Sequence, residues 1–389
     1  MNYQRRLDGL QQEMRKKDID LVLYGSCPNF QYLSGIQVNW RLAPDHQPPG
    51  DIILVPQYGD PVLIVSGNYT TNSCPIENVH PYEPSIGYRG MLDSIVQDLS
   101  IKVQKLALGS YLPIPAATAA ITVTENPELC DASHLMDHVR MIKEPEEVER
   151  LYKVAQLTDQ VMVKVIGNIR EGISQIDLML EIEMQARRMG ASNVSFEPWA
   201  CFVKSSSSTT DQASNHPDGQ GRVSNCPIDQ GLTSNTAITF DVGFVMNGYC
   251  SDWGRSVYWG TPSENVKKAH AALRQSVVET VAELKDGSMR ACDVYPTVEK
   301  KLDTLGFGDQ MRARLAPSRI MGHQIGTEVH ENPWLRPDCD DTLRAGMVMC
   351  IEPKLWLAGE YYFRLEEMVH ITRTGAEFLT NFDRDMFVL

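Results

Sequence analysis

The N-terminal part of the chain alternates helical and extended patterns. Apolar residues first recur at helical spacing, at Tyr3, Leu7, Leu10 and Met14. Short apolar runs that are typical of strands follow at Asp20–Tyr24, Ile52–Pro56, Pro61–Val65 and Lys105–Gly109. Because helical and extended segments alternate in this way in α/β proteins, we predict an α/β domain over residues 1–143.

A second domain is predicted to begin in the charged segment Arg140–Glu147, which contains Pro145. Apolar residues at helical spacing follow it, at Val148, Leu151, Ala155, Met162 and Ile166. Further helices are predicted over Ser174–Met189 and Ser263–Leu284, with a polar loop over Lys204–Asn235 between them. Strand-like segments then occur at Ala237–Val245, Val257–Tyr258, Met347–Ile351 and Met368–Thr372. We therefore predict a domain of the α+β class over residues 144–389.

Composition narrows the class of protein. The 389 residues include 36 basic and 50 acidic side chains, a formal net charge of −14, and 42% of them are hydrophobic. This balance is typical of a globular protein and disfavours nucleic acid or an anionic membrane as a partner. The 9 cysteines are scattered without a CxxC pair, which argues against a disulfide framework and a zinc ribbon. We expect no membrane segment, no targeting peptide and a cytoplasmic location.

The first candidate for chemistry is a pair of aspartates around a turn. Asp241 ends an apolar run, and Asp252 follows Asn247-Gly248, a dipeptide that favours a β-hairpin. Aspartates on adjacent antiparallel strands can converge on one site, where buried carboxylates need a cation. Two turn or edge aspartates without a common site are the alternative, and this segment alone leaves both interpretations open.

Histidines and glutamates mark three further segments. His323 is flanked by glycine, which allows close backbone approach, and His330 follows seven residues later. Glu352 ends a strand-like run, and Glu366 enters another apolar segment. A lone histidine is more often structural than a ligand, but two histidines near glycines favour a site.

Gathered in one place, these four carboxylates and one imidazole would form a centre for divalent metal ions. Carboxylates within a few ångströms of one another repel and raise each other's pKa. Two divalent cations would balance the four negative charges, with neutral His323 as a further ligand. Oxygen-rich ligation suits Mn, which we expect, or Co, Zn or Fe, and the absence of a thiolate argues against a structural zinc site. Such a pair of ions activates water and polarises a carbonyl.

In this order, the four segments resemble the pita-bread-fold metallopeptidases, the family of methionine aminopeptidase, aminopeptidase P, prolidase and creatinase. The resemblance covers the whole chain, because the N-terminal domain and the charged junction are similar to the creatinase and prolidase branch. It implies an α/β N-terminal domain followed by an α+β, creatinase-like pita-bread catalytic domain. It also implies that the chain hydrolyses a C–N amide bond in a small substrate with two metal ions.

The resemblance implies a role for each metal ligand. Asp241 would chelate one ion, and Asp252 would bridge both ions. His323 and Glu352 would bind the other ion, and Glu366 would be the second bridge. Creatinase itself lacks this metal set, whereas all five ligand types are retained in this sequence.

Other residues take implied roles in substrate binding and catalysis. His330 matches a histidine that contacts the substrate carbonyl, and Arg364 matches an arginine that supports the site. In this branch the N-terminal domain of one subunit often closes the active site of the other, so we expect a homodimer. The loop Val38–Gly50 offers Trp40 and Arg41 as an aromatic wall and a cation for a substrate carboxylate. An exposed loop with incidental aromatic residues is the alternative.

Departures from the family concern the substrate pocket. The peptidases usually carry another catalytic histidine at the position of Ser224, and His216 is a displaced candidate for that role. Lys354 replaces a usual glycine two residues after the metal-binding glutamate, and Gly254 replaces a usual threonine. The aromatic faces of three tryptophans near the motif segments would suit a compact, charged substrate, and packing in the core is the alternative: Trp253, Trp334 and Trp356.

Three functions remain open at this point. The leading hypothesis is hydrolysis of an Xaa-Pro dipeptide or of a non-peptide amide of the ectoine or creatine type, and the departures favour the non-peptide amide. The second is a metal-dependent reaction similar to that of a dimethylsulfoniopropionate lyase. The third is a non-catalytic pita-bread domain that binds partners, which the retained ligands disfavour.

Overall fold

Two units, each with its own hydrophobic core, make up the chain. The computed structural model describes residues 1–37, 50–66, 74–204, 226–316 and 318–389. Internal contacts group these residues into Met1–Arg140 and Met141–Leu389.

The first unit is built on a mixed six-stranded sheet. Its elements are α1 (Tyr3–Lys16), β1 (Leu21–Gly25), α2 (Pro28–Ser34), β2 (Ile52–Pro56), β3 (Val62–Val65), β4 (Val79–Pro81), α3 (Gly87–Leu99), β5 (Lys105–Leu108), α4 (Ile114–Val123) and β6 (Glu128–Asp131), followed at the junction by α5 (Asp137–Met141). The strand order is β4-β3-β2-β1-β5-β6. The buried strand β1 pairs antiparallel with β2 and parallel with β5. The predicted α/β class is confirmed.

The pattern of apolar residues explains the first helix. The Asn2 side chain accepts a hydrogen bond from the backbone N–H of Arg5 at 3.0 Å, which caps α1. Leu7, Leu10 and Met14 lie on its buried face, as their spacing predicts. The four predicted strands of this unit are present as β1, β2, β3 and β5.

The second unit contains helices packed on several sheets that are antiparallel except for the pair of its strands Trp253–Trp259 and Phe387–Val388, which is parallel. Its elements are α6 (Pro145–Gly167), α7 (Gln175–Arg188), β7 (Asn193–Val194), β8 (Trp199–Lys204), β9 (Thr236–Val242), β10 (Phe244–Met246), β11 (Tyr249–Cys250), β12 (Trp253–Trp259), α8 (Glu264–Glu283), α9 (Ala291–Leu305), α10 (Gly308–Leu315), β13 (Gly322–Gln324), β14 (Glu331–Trp334), β15 (Val348–Ile351), β16 (Lys354–Leu357), β17 (Tyr361–Arg364), β18 (Glu367–Ile371), β19 (Ala376–Phe378) and β20 (Phe387–Val388).

Helix starts in this unit follow from local capping. At the start of α6, the Glu147 carboxylate accepts a hydrogen bond from the backbone N–H of Glu144 at 3.0 Å. The Ser174 hydroxyl accepts one from the Asp177 N–H at 3.1 Å and caps α7. Ser263 caps α8 in the same way. The three helices predicted from the sequence begin at these caps.

Two sheets carry the candidate site. One has the order β20-β12-β9-β8, and the other has the order β14-β13-β15-β18-β19. A bridge between Gly254 and Glu366 joins them. The predicted strand Ala237–Val245 is divided into β9 and β10 at Gly243. Asn247 and Gly248 form the predicted tight turn, with φ values of 51° and 79°.

Some predictions concern residues that the structure does not describe. Trp40, Arg41, His216 and Ser224 lie outside the described residues, as does the loop Val38–Gly50 apart from its last residue. Their roles stay predictions. Among the helices in the described ranges, none is long and apolar enough to cross a membrane.

A buried histidine in the second unit predicts acid sensitivity. His270 on α8 is 3% exposed, and its Nε2 atom has no hydrogen-bond partner. Burial lowers the pKa of His270 to about 3, and the charges of Arg255 and Arg274 act in the same direction. Because the unfolded chain binds this proton below a pKa of about 6.5, the free energy of unfolding falls as the pH decreases from there toward 3.

Denaturant unfolding at a series of pH values measures this effect. We expect His270 to contribute a loss of about 1.4 kcal/mol per pH unit below pH 6. The variant His270→Gln should lose this part of the slope and keep the rest. Equal slopes for the two proteins would show that His270 does not titrate on unfolding.

Candidate metal centre

Adjacent antiparallel strands bring the two predicted aspartates together. Asp241 lies near the end of β9 and is paired with Gly254 of β12. Asp252 immediately precedes β12, so both carboxylates lie at the same end of this strand pair. The hairpin-like geometry expected from the Asn247-Gly248 turn is therefore present.

The second sheet supplies the other predicted ligands. His323 on β13 pairs across the sheet with Cys350 on β15. Glu352 immediately follows β15, and Glu366 immediately precedes β18, next to the bridge with Gly254. All five predicted ligands are thus placed where the two sheets meet. We call the four acidic residues the carboxylate cluster: Asp241, Asp252, Glu352 and Glu366.

Two members of this cluster, Asp252 and Glu366, are buried and have carboxylate oxygens that accept no hydrogen bond. Asp252 is 3% exposed and Glu366 is 1% exposed. Asp252 Oδ1 and both carboxylate oxygens of Glu366 have no hydrogen-bond partner. Burial raises the pKa of both groups, and neighbouring carboxylates raise that of Glu366 further. Buried anionic oxygens without donors fit a bound cation.

His323 is oriented toward the same point. Its Nδ1 atom lies 3.1 Å from the carbonyl oxygen of Gln324, to which it donates. Nε2 is then left facing Asp252 Oδ2 at 3.4 Å. Burial alone would lower the pKa of His323, but Asp252 and the other carboxylates outweigh burial and raise it to about 9. A metal ion at Nε2 would therefore replace a proton.

A second histidine lies beside the first. The rings of His323 and His330 meet edge to face with centroids 4.4 Å apart. Trp334 packs on His330 at 5.0 Å and on His323 at 5.3 Å. Loss of hydration, together with the charge of His323, lowers the pKa of His330 to about 4. His330 is therefore neutral near pH 7 and can donate a hydrogen bond from one ring nitrogen.

Two cationic side chains enter the cluster. Arg364 ion-pairs with Asp241, and its Nη2 atom lies 2.9 Å from Glu352 Oε2. Lys354 Nζ lies 2.6 Å from the same oxygen of Glu352. Arg364 therefore contacts the cluster directly, as the resemblance implies. The lysine was noted in the sequence only as a departure from the family.

Cys350 was not predicted as a site residue. Ligand atoms of four residues all lie within 4.8 Å of one another: Asp252, His323, Cys350 and Glu366. Burial raises the pKa of the Cys350 thiol, and the nearby carboxylates raise it further. The missed signal is strand alternation, because Cys350 lies two residues before Glu352 and faces the same side.

One of the three tryptophans near the motif segments lies beside the histidines, and another lies in the core. Trp334 contacts both histidines, as stated above. Trp253 is 0% exposed, packs on Phe382 and donates its indole N–H to Asp159, so it belongs to the core. Trp356 packs against the core of the second unit. Core packing, the alternative expected for these tryptophans, is therefore what the structure shows for Trp253.

Comparison with known proteins identifies the family. The model of metallopeptidase family M24 matches residues 149–373, more than half of the chain. The chain belongs to metallopeptidase family M24. The creatinase/prolidase N-terminal domain matches residues 6–142. As a member of family M24, the chain is a metal-dependent hydrolase, and its second unit has the pita-bread fold. The hypothesis of a non-catalytic domain is not supported.

Several relatives in family M24 cover most or all of the chain. The prolidase from Thermococcus sibiricus is 26% identical, with a TM-score of 0.81 and coverage of 100% of both chains. The Xaa-Pro dipeptidase from Bacillus anthracis has the same fold, with 22% identity, a TM-score of 0.81 and full coverage of both chains. The uncharacterized peptidase SSP1059 of Staphylococcus saprophyticus is 25% identical over 83% of this chain and 88% of its own length.

Proposed function

We propose that this chain hydrolyses the C–N amide bond of a small, dipeptide-sized substrate with a divalent metal ion. The observation that carries the proposal is the group of buried oxygens of Asp252 and Glu366 that have no hydrogen-bond partner and lie beside His323 Nε2. Buried carboxylates of this kind reduce the stability of the fold when no cation is bound, and they can act as ligands when a cation is present. A divalent ion held there supplies Lewis-acid polarisation of the substrate carbonyl, and Mn is expected, with Co, Zn or Fe as alternatives.

The residues around the cluster have separate tasks in this proposal. Neutral His330 donates a hydrogen bond to the substrate carbonyl oxygen as negative charge develops on it. Trp334 holds the His330 ring by packing on its face. Glu366 is the carboxylate that accepts the proton of the attacking water and returns it to the leaving nitrogen. Arg364 positions Asp241 and Glu352 through its ion pairs.

Two substrate classes have support. The prolidase that is 26% identical over the whole chain favours a dipeptide. A non-peptide amide of the ectoine or creatine type is favoured by three departures from the peptidases: Lys354, Gly254, and a serine instead of the usual histidine at position 224. An elimination similar to that of a dimethylsulfoniopropionate lyase is the alternative chemistry, because the same cation would polarise a carboxylate. A cytoplasmic location is proposed with each of these activities.

A substrate panel with product identification tests the proposal. The metal-loaded protein is incubated with Xaa-Pro dipeptides, small cyclic amides, amidines and sulfonium acids. We expect release of an amine or amino acid from an amide, with an efficiency above about 10⁴ M⁻¹s⁻¹ for the preferred class. Release of proline together with the N-terminal amino acid, from the dipeptides and from no other substrate class, identifies a dipeptidase. Formation of an alkene without amide cleavage would overturn the proposed hydrolysis.

The proposal includes a homodimer in which Arg41 of one subunit serves the site of the other. Its support is the implied architecture of the creatinase and prolidase branch. Mixing Arg41→Ala chains with His330→Ala chains should restore part of the activity, because one site of the heterodimer then keeps both residues. Full activity of a protein that sediments as a monomer would contradict this part of the proposal.

A further inference from the structure

Two positive side chains occupy part of the carboxylate cluster. Lys354 and Glu352 have side chains that are each only 9% exposed, and Nζ lies 2.6 Å from Oε2. The Arg364 guanidinium, also 9% exposed, lies 2.9 Å from the same oxygen and ion-pairs with Asp241. These cations are therefore inside the candidate metal centre and not on its solvent side.

The cluster divides into two halves by what its oxygens contact. Glu352 and Asp241 are held by N–H donors of Lys354 and Arg364. Glu366 Oε2 is 3.6 Å from Arg364, beyond hydrogen-bonding distance, and both Glu366 oxygens remain without a hydrogen-bond partner. In the half formed with Asp252 and His323, oxygens are therefore available to a metal ion.

Strand pairing places Lys354 and Arg364 next to each other. Lys354 begins β16 and is paired directly with Arg364 at the end of β17. Like charges opposite each other in an antiparallel pair repel, so this pair needs the anionic oxygens between them. Gly254 makes room for the arginine, because a Cβ atom there would lie 2.5 Å from Arg364 Cδ. Both departures from the family are therefore neighbours of Arg364: Gly254 leaves space for its side chain, and Lys354 pairs with it across the strands.

Charge balance then limits the number of metal ions. The four carboxylates carry four negative charges, of which the lysine and arginine balance two. One divalent ion neutralises the remainder, with neutral His323 as a ligand. A second ion would leave the buried centre with two excess positive charges, which is costly in a site shielded from water. It would also have to displace Lys354 from Glu352.

We propose that the centre binds one divalent ion, at Asp252, His323 and Glu366, and that the Lys354 ammonium takes the place of a second ion on Glu352. This inference rests on the proposed metal dependence and revises the pair of ions predicted from the sequence. It gives Glu352 a different partner from the metal that the resemblance implies.

Metal stoichiometry tests the inference without an activity assay. The protein is loaded with excess Mn²⁺, freed of unbound metal by gel filtration and measured by elemental analysis and by electron paramagnetic resonance. We expect about one ion per chain and the spectrum of isolated Mn²⁺. Lys354→Met and Lys354→Gly should each double the metal content and give the spectrum of an exchange-coupled pair. Lys267→Met, which removes a half-exposed lysine on α8, is the matched control and should keep one ion.

The outcomes separate this inference from the proposed function. Two ions in the unaltered protein, or one ion in both folded Lys354 variants, would overturn the inference while leaving metal-dependent hydrolysis intact. Failure of the unaltered protein to retain any ion would overturn both. The Lys354→Gly variant restores the residue usual in the peptidases, so it keeps the test decisive if the buried methionine impairs folding.

Discussion

The variant Glu366→Gln is expected to lose almost all hydrolytic activity together with divalent metal binding. Glu366 offers two buried oxygens without hydrogen-bond partners, and glutamine replaces one of them by an amide NH₂ group that cannot ligate a cation. Because the metal supplies several kcal/mol of transition-state stabilisation, we expect turnover to fall by roughly three orders of magnitude or more. Activity assays and elemental analysis on the same preparation measure both losses.

Melting of the metal-free proteins distinguishes loss of the site from loss of the fold. The metal-free Glu366→Gln variant should melt at or above the temperature of the metal-free unaltered protein, because the substitution removes a buried carboxylate that has no hydrogen-bond partner and is repelled by its acidic neighbours. Added Mn²⁺ should raise the melting temperature only where Glu366 is present. Glu377→Gln on β19, where the side chain is 71% exposed, is the matched control. A variant that keeps both activity and the metal-induced shift would remove Glu366 from the site.

The variant His330→Ala is expected to keep its metal and to lose turnover by roughly two orders of magnitude or more, the scale for removal of one oxyanion donor. His330 contacts the ring of His323 but lies outside the group whose ligand atoms are within 4.8 Å of one another. Because its pKa is low, the role that we propose for His330 is a hydrogen bond to the developing oxyanion and not a charge. Steady-state kinetics with metal analysis separates these effects.

Two further variants sharpen the test of His330. His330→Gln keeps an N–H donor and should recover part of the lost turnover. His134→Ala, at a histidine whose side chain is 75% exposed in the first unit, should leave kinetics unchanged. Full activity of His330→Ala would assign His330 a structural role only.

Sequence patterns predicted helices and strands well where the interactions that form them lie within the element itself. The spacing of Leu7, Leu10 and Met14 predicted α1, and Ser174 and Ser263 marked helix starts, because capping and one buried face act within one element. The four segments with predicted ligands were singled out because each couples a strand pattern with an acidic residue or a histidine, and their roles as ligands stay predictions.

Cross-strand relations were harder to predict. The pairing of Lys354 with Arg364 depends on the register of β16 and β17, which the sequence pattern does not determine. The sequence therefore shows that Lys354 replaces a usual glycine, but it does not predict the contact of Lys354 with Glu352. Cys350 is a different case: its alternation with Glu352 along the strand is visible in the sequence, whereas its pairing with His323 is not. The sequence leaves open whether Trp253 lies in the site or in the core, because proximity to Asp252 along the chain does not determine which side of β12 the indole occupies.

Titration of metal into stripped protein tests the central claim most directly. The protein is freed of metal with a chelator, and Mn²⁺ is added back in steps while amide hydrolysis of the preferred substrate is followed. We predict negligible hydrolysis without metal and a rate that rises with bound Mn²⁺ to a plateau at one ion per chain. Glu366→Gln should show no rise. Undiminished hydrolysis by the stripped protein, or an equal rise in Glu366→Gln, would contradict metal-dependent hydrolysis at this centre.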